Sequence, residues 1–337
     1  MKDITFAVPC YNSQDYMKRC IESLLPCGKR GEILIIDDGS TDLTGEIADA
    51  YARGNPETVR VIHKANGGHG SGINAALKQA EGRFFKVVDS DDWLDEDALE
   101  DLLVCIEEKQ DTVDLIVCNY IYDHLLENKT KRVRFANIFP KGRLCGWQDM
   151  RPFAPSQYLV MHALVFRTAV LRESEVLLPE HTFYVDNLFA CKPLPFVTTI
   201  QYLNVDLYHY FLGREDQSVN TENYKKRIDQ QILVTKLVLD EYLRDNVEEQ
   251  HRKLKRYLLR NLSVMLAISS LHLLMIGTKE ALQKRRDLWL YVRERDESLY
   301  RKLRYGTLSG LTDLPGRLGS GLTIGGYTLA KSIWQFS

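Results

Sequence analysis

Seven cysteines occur in the chain, yet none pairs with another as C-x-x-C or in any other metal-ligand spacing. This argues against a zinc or iron–sulfur framework and points to reduced, mostly buried thiols, as expected in the cytoplasm. A surplus of one charge is lacking too. Forty-four Lys and Arg face 46 Asp and Glu, a net −2, so bulk attraction to nucleic acid is not expected. No secretory leader is read, because Met1-Lys2-Asp3 runs straight into an apolar segment. Internal repeats and low-complexity tracts are missing. Two nucleotide signatures are missing as well. The first strand-to-helix turn, Pro9-Cys10-Tyr11-Asn12, has no glycine, and the later loop Asn66-Gly67-Gly68-His69-Gly70-Ser71-Gly72 has Ile73 where a G-x-G-x-x-G fingerprint needs glycine. Dinucleotide binding is thereby disfavoured, and no Walker lysine pattern occurs either.

What is present is an alternation of short apolar runs and helical segments. Ile4–Val8, Glu32–Ile36, Val59–His63 and 84–88 read as strands. Helices are expected at about 14–25, after Asp42 through Ile47 and Tyr51, and at about 71–81. Strands alternating with helices predict an α/β fold with a parallel sheet covered on both faces. Ligands of such sheets bind beyond the carboxyl ends of the strands. The chain sets polar clusters at four such ends: Tyr11-Asn12, Asp37-Asp38, Asn66 to Gly72, and Asp89-Ser90-Asp91-Asp92.

The last cluster carries the most chemistry. Three carboxylates at the end of a buried strand repel one another. A hard divalent cation, Mg²⁺ or Mn²⁺, relieves that repulsion and shares its shell between carboxylates and substrate phosphates. An acidic start to the following helix is the plainer reading of the same residues.

Together these segments resemble the successive motifs of family 2 glycosyltransferases: Val8-Pro9-Cys10-Tyr11-Asn12, Ile36 to Asp42, Asn66 to Asn74, and Asp89 to Asp92. The resemblance covers about the first 220 residues. It implies a GT-A fold (a Rossmann-like nucleotide-diphospho-sugar transferase sheet), inverting chemistry, and a nucleotide-sugar donor, most often a UDP-sugar. By that pattern Pro9, Tyr11, Asn12, Asn66 and Gly70 border the donor. Asp38 would hydrogen-bond the uracil, Asp89 or its neighbour Asp92 the ribose, and Asp91 would hold the Mn²⁺ or Mg²⁺ on the diphosphate.

Inverting transfer also needs a base within reach of the acceptor hydroxyl. In the resembling segment His181 to Phe189, Asp186 falls at the base position, with Val185 where an acidic neighbour is usual. A helix N-cap is the alternative for Asp186. Arg214, in Tyr208 to Val219, has a guanidinium suited to diphosphate oxygens, or to a surface pair with Glu215 or Asp216. His162 and Trp147 are candidate acceptor contacts, with ordinary core packing as the alternative for both. The Gln-x-x-Arg-Trp motif of processive synthases does not occur in this stretch.

Beyond about residue 221 strands are no longer expected. Residues 223–246, 250–276 and 279–298 read as helices, giving a helical domain over 221–300 behind a GT-A domain over 1–220. Asn261 to Gly277 is the most apolar stretch. It contains Ser263, Ser269, Ser270 and His272, falls short of a ~20-residue span, and reads as a buried helix. The tail, 301–337, has five basic residues and one acidic one, 5 − 1 = +4, with Tyr327, Trp334 and Phe336 among few charges. It suits peripheral contact with a lipid surface at the inner face of the cell membrane. Docking on its own domain, or on a second copy in a homodimer, is the alternative. The expected acceptor is a glycan or a lipid-linked glycan of a bacterial envelope. The rival readings are a nucleotidyltransferase, which would show a Gly-rich basic loop after the first strand, and a non-catalytic sugar-nucleotide binding module.

Overall fold

The computed structural model describes residues 2–124, 129–155, 157–213, 225–244 and 251–314, together with Thr323 and Gly325. The chain divides into two compact units, Met1–Gly213 with Asn246–Leu254, and Arg214–Asp245 with Lys255–Ser337.

The first unit is built on a ten-stranded sheet. Its strands are β1 (Lys2–Cys10), β2 (Gly31–Asp37), β3 (Val59–His63), β4 (Gly82–Val87), β5 (Trp93–Leu94), β6 (Leu115–His124), β7 (Lys129–Val133), β8 (Leu144–Cys145), β9 (Leu164–Arg167) and β10 (Ile200–Phe211). The order is β3-β2-β1-β4-β9-β6-β10-β5, with β7 on β6 and β8 on β10. Helices α1 (Met17–Leu24), α2 (Thr44–Gly54), α3 (His69–Gln79), α4 (Glu96–Lys109), α5 (Thr168–Glu173) and α6 (Asp186–Cys191) join and cover the strands.

The four strands read from the sequence are present and parallel to one another. The sheet as a whole is mixed, which corrects the expectation of a parallel one. Strand β9 is antiparallel to both β4 and β6, while β6 and β10 are parallel. A four-residue strand between two long-range neighbours leaves no local periodicity from which its direction could be read. Strand β1 runs through Pro9, which pairs in register with Ile36, instead of ending there.

Continuous burial of β1 and β2 follows from their apolar runs, since strands covered on both faces alternate nothing. Near the start of β2, Glu32 is 2% exposed and fully engaged. Its carboxylate accepts from the Thr5 hydroxyl at 2.7 Å and the Glu81 N–H at 3.0 Å, and pairs with Arg60. In the other half of the sheet Asp114, at the foot of β6, is the matching strut. It accepts from the N–H groups of Thr198 and Thr199 at 2.8 and 3.0 Å, from the Thr198 hydroxyl, and from Arg167 at 2.6 Å. One buried carboxylate thus ties the starts of β6, β10 and the end of β9.

The second unit carries helices Ile228–Leu243, Arg252–Ile276, Lys279–Arg295 and Glu297–Gly306. Ile228, Leu273 and Ala281 form a core among them. The segment expected as one helix to residue 298 breaks at Asp296, whose side chain caps the next helix by accepting the Leu299 N–H. The helix Arg252–Ile276 is long and apolar enough to cross a membrane, with 61% of its most apolar stretch buried in the protein. Its polar residues are satisfied internally: Ser269 bonds Thr235 at 3.0 Å and Ser270 accepts from the Trp289 indole at 3.2 Å. Of the tail expected over 301–337, residues 301–306 continue the helix Glu297–Gly306, and from 315 onward only Thr323 and Gly325 are described, so Trp334 and Phe336 lie outside the described residues.

Candidate active site

Parallel pairing of β3-β2-β1-β4 places the carboxyl ends of these strands side by side, and the loops there bond to one another. Asn12, in the left-handed region at φ 49°, accepts the Thr41 N–H through its side chain at 2.9 Å, while its own N–H donates to Ser40. The Ser13 and Ser90 hydroxyls are 2.8 Å apart, joining the first loop to the acidic turn. Tyr11 is 54% exposed beside them, open to a ligand.

Asp38 is 3% exposed and its carboxylate is already occupied. It accepts from the N–H groups of Gly67 and Gly68, at 3.0 and 2.7 Å, and from Lys64 at 2.6 Å. Through these bonds Asp38 anchors the glycine loop. Asn66 is exposed and holds the Asp38 carbonyl at 2.9 Å. Two further donor candidates are buried. Gly70 lies under the chain at 178–179, where a β-carbon would come within 2.9 Å of the Pro179 carbonyl oxygen. Pro9 lies within β1 against Gly72.

The glycine loop is clamped to the segment leading into Asp186. The His181 N–H donates to the Gly67 carbonyl at 2.6 Å, the Ser71 hydroxyl donates to Glu180 at 3.0 Å, and Asn74 exchanges two hydrogen bonds with the Leu178 backbone. Gly68, at φ 82°, passes so close to His181 that a β-carbon would sit 3.1 Å from its nitrogen. On the other side of the clamp His181 and Tyr184 both take positive φ, 49° and 66°, in the turn that delivers Asp186 to the start of α6.

Four groups then converge. Asp89 accepts from His69 Nε2 at 2.7 Å and lies 3.5 Å from His162 Nε2. Burial alone would raise the Asp89 carboxyl, but the two imidazoles hold it well below the ordinary carboxylate range. Asp186 is pushed up, first by burial, with His162 and His69 opposing and Asp89 adding to the rise. His69 is raised despite its burial, by Asp89 first and then by Asp186 and Asp91. His69 opens α3 from inside the glycine loop; a histidine in an otherwise small-residue loop was the sequence signal for it.

Asp92 is fully buried beside this group. Its oxygens accept the Tyr208 hydroxyl at 2.5 Å and the Phe211 N–H at 2.8 Å, and burial with the nearby Asp91 and Asp89 pushes it up. These bonds anchor the acidic turn to β10. Beneath the turn Lys86 is wholly buried. Its ammonium donates to the His162 carbonyl at 2.7 Å and lies 5.0 Å from the Tyr208 ring, and burial pulls it down to about 8.

Ligand atoms of Asp89, Asp92 and His162 lie within 4.8 Å of one another. With Asp92 committed to Tyr208 and Phe211, the oxygen donors left for a cation are Asp89 and the half-buried Asp91. That donor set fits Mg²⁺ or Mn²⁺. Trp147 is fully buried and donates its indole N–H to the Val197 carbonyl at 2.7 Å, so it is a core residue and offers no face to an acceptor. His162, by contrast, borders the site. Arg214 lies outside the described residues.

A family model described as glycosyl transferase family 2 matches residues 5–167. EpsH of Bacillus subtilis (strain 168) is 27% identical over 276 residues, 77% of this chain and 75% of that protein. TarS of Staphylococcus aureus (strain Mu50), a poly(ribitol-phosphate) beta-N-acetylglucosaminyltransferase, is 27% identical over 256 residues, which are 75% of this chain but 42% of TarS. This chain thus spans less than half the length of that relative. Among solved structures, that of S. aureus TarS 1–349 in complex with UDP-GlcNAc has a TM-score of 0.68 at 22% identity, covering 98% of this chain and 92% of that one, a likeness of fold. The matched segment, residues 5–167, spans the strands whose ends carry the acidic turn and the glycine loop, so the chain carries a family 2 glycosyltransferase domain with a GT-A fold.

Proposed function

We propose that this protein transfers a sugar, with inversion, from a UDP-sugar to a hydroxyl of a glycan or lipid-linked acceptor in the bacterial cytoplasm, at the inner face of the membrane where the acceptor is lipid-borne. The observation that carries this reading is Asp186, a carboxylate raised by burial and presented at a helix start opposite Asp89 and two histidines. A raised carboxylate is a better proton acceptor near neutral pH. In the reaction the acceptor oxygen attacks the anomeric carbon and the bond from that carbon to the diphosphate oxygen breaks. UDP leaves with the electron pair, and the acceptor proton passes to Asp186. Asp91 and Asp89 would hold Mn²⁺ or Mg²⁺, which supplies positive charge against the departing diphosphate. His69 and His162 keep Asp89 ionised and so ready for that cation. The UDP moiety is supported by the UDP-GlcNAc bound in the TarS structure.

The test is product analysis with a panel of UDP-sugars and glycan acceptors. Free UDP and a glycoside of inverted configuration are expected, and both should be lost in Asp186→Asn while UDP binding persists. Pyrophosphate as the product would replace this reading with nucleotidyl transfer.

A further inference from the structure

Strands β6 and β10 carry tyrosines at matched positions. In the parallel register Tyr208 stands opposite Tyr120 and Tyr210 opposite Tyr122. Residues two apart on a strand share a face, so the four rings form a two-by-two array on one side of the sheet. Its inner pair is core: Tyr120 is 3% exposed and Tyr208 not at all. Its outer pair, Tyr122 and Tyr210, is only half-buried, with ring centroids 5.7 Å apart. The His162 ring stacks on Tyr210 at 4.6 Å and 24°, extending the wall toward Asp186, and the short turn Met161–Ala163 that carries His162 packs against α6. Tyr158 is 38% exposed, and its hydroxyl is pushed up by burial and then by the nearby Tyr122 and Asp186.

We infer that this wall is the acceptor subsite and that it takes a pyranose ring, making the acceptor a saccharide whose C–H face packs on Tyr122 and Tyr210 with a ring hydroxyl directed at Asp186. The inference rests on the transferase reading above. A pyranose offers an apolar face rimmed by hydroxyls, which matches rings that carry phenolic groups at their edges. A polyol-phosphate chain has no such face, and the negative face of an aromatic ring disfavours an anion laid upon it. A lipid tail would cover the phenol hydroxyls and Asp186 with hydrocarbon and offer them no hydrogen bond of its own.

The test uses the full chain with UDP present and nuclear magnetic resonance saturation transfer from the protein's aromatic protons. The probes are methyl pyranosides of glucose, galactose and N-acetylglucosamine, and ribitol 5-phosphate. Saturation should reach the ring C–H protons of at least one pyranoside. Tyr122→Ala and Tyr158→Ala should each weaken that pyranoside about tenfold, Tyr122→Phe should retain it, and UDP affinity should be unchanged in all three. The subsite is overturned if no pyranoside is contacted while UDP binds, if ribitol 5-phosphate binds in its place, or if Tyr122→Ala leaves pyranoside affinity intact. Failure of the wild-type chain to bind UDP would instead overturn the transferase reading.

Discussion

The two halves of the sheet solve different recognition problems with different materials. The half made of β1 to β4 ends in loops of Asp, Asn, Ser and Gly that bond mainly to one another, as Asp38 does to Gly67 and Gly68. The half made of β6, β9 and β10 presents rings: Tyr120, Tyr122, Tyr208, Tyr210 and, beside them, His162. A diphosphate and a base demand fixed directions, which small residues with satisfied backbone provide. A sugar face demands a surface, which side-chain packing provides. Order in the first half is local hydrogen bonding, while order in the second is burial and register.

Five changes would break or sharpen that contrast. The largest effect is expected from Asp186→Asn, which keeps the shape where the halves meet and removes the basicity. Turnover should fall by ~10²–10⁴-fold with UDP affinity, read by calorimetry, unmoved; near-normal turnover would place the base elsewhere. Next is Asp114→Ala, which strikes the ring half at its foot. It strands Arg167 and three other hydrogen bonds, from the Thr198 N–H and hydroxyl and the Thr199 N–H, and should cost about 3 kcal/mol in denaturant unfolding. Burial would raise this carboxyl, but its donors hold it below the usual value. Its stabilisation should therefore be complete at neutral pH and fade as pH falls through the acid range.

Gly68→Ala tests the loop half. A side chain at φ 82° pressed against His181 should cost about 1–2 kcal/mol and lower UDP affinity and turnover together. Loss of stability alone, with both functions intact, would mean the loop does not serve the donor. Removing the divalent cation with a chelator should weaken UDP binding in the wild type and change nothing in Asp91→Ala. Equal affinity with and without chelator in the wild type would remove the metal from the site. The mildest test is pH. Because Asp186 is raised and acts in its ionised form, kcat/KM should fall as pH drops through a value above the ordinary carboxylate range. An acid limb at or below that range would argue that Asp186 is not the group titrating.

Much of the loop half could be read from the sequence, because apolar runs ending in polar clusters state both the strand and its carboxyl end. The same letters hid which side chains face inward. Asp92 and Asp38 also bond Phe211 and Gly67–Gly68, partners from segments that no local pattern connects to them. Trp147 is a similar case, since its acceptor is the Val197 carbonyl, 50 residues on. The ring half was less legible still. Tyr120, Tyr122, Tyr208 and Tyr210 acquire meaning only when a register across two distant strands sets them on one face.

The clamp between residues 67–74 and 178–181 has a consequence for exchange of sequence between relatives. Its partners lie more than 100 positions apart, 104 in the Asn74–Leu178 bonds and 109 in the Ser71–Glu180 bond. A crossover anywhere between them would join a glycine loop from one parent to a strap from another. Recombinants that alter acceptor choice while keeping donor choice should therefore survive when the crossovers spare 178–186, or when both segments travel together. Those that split the pair should give chains that bind the donor and turn it over poorly.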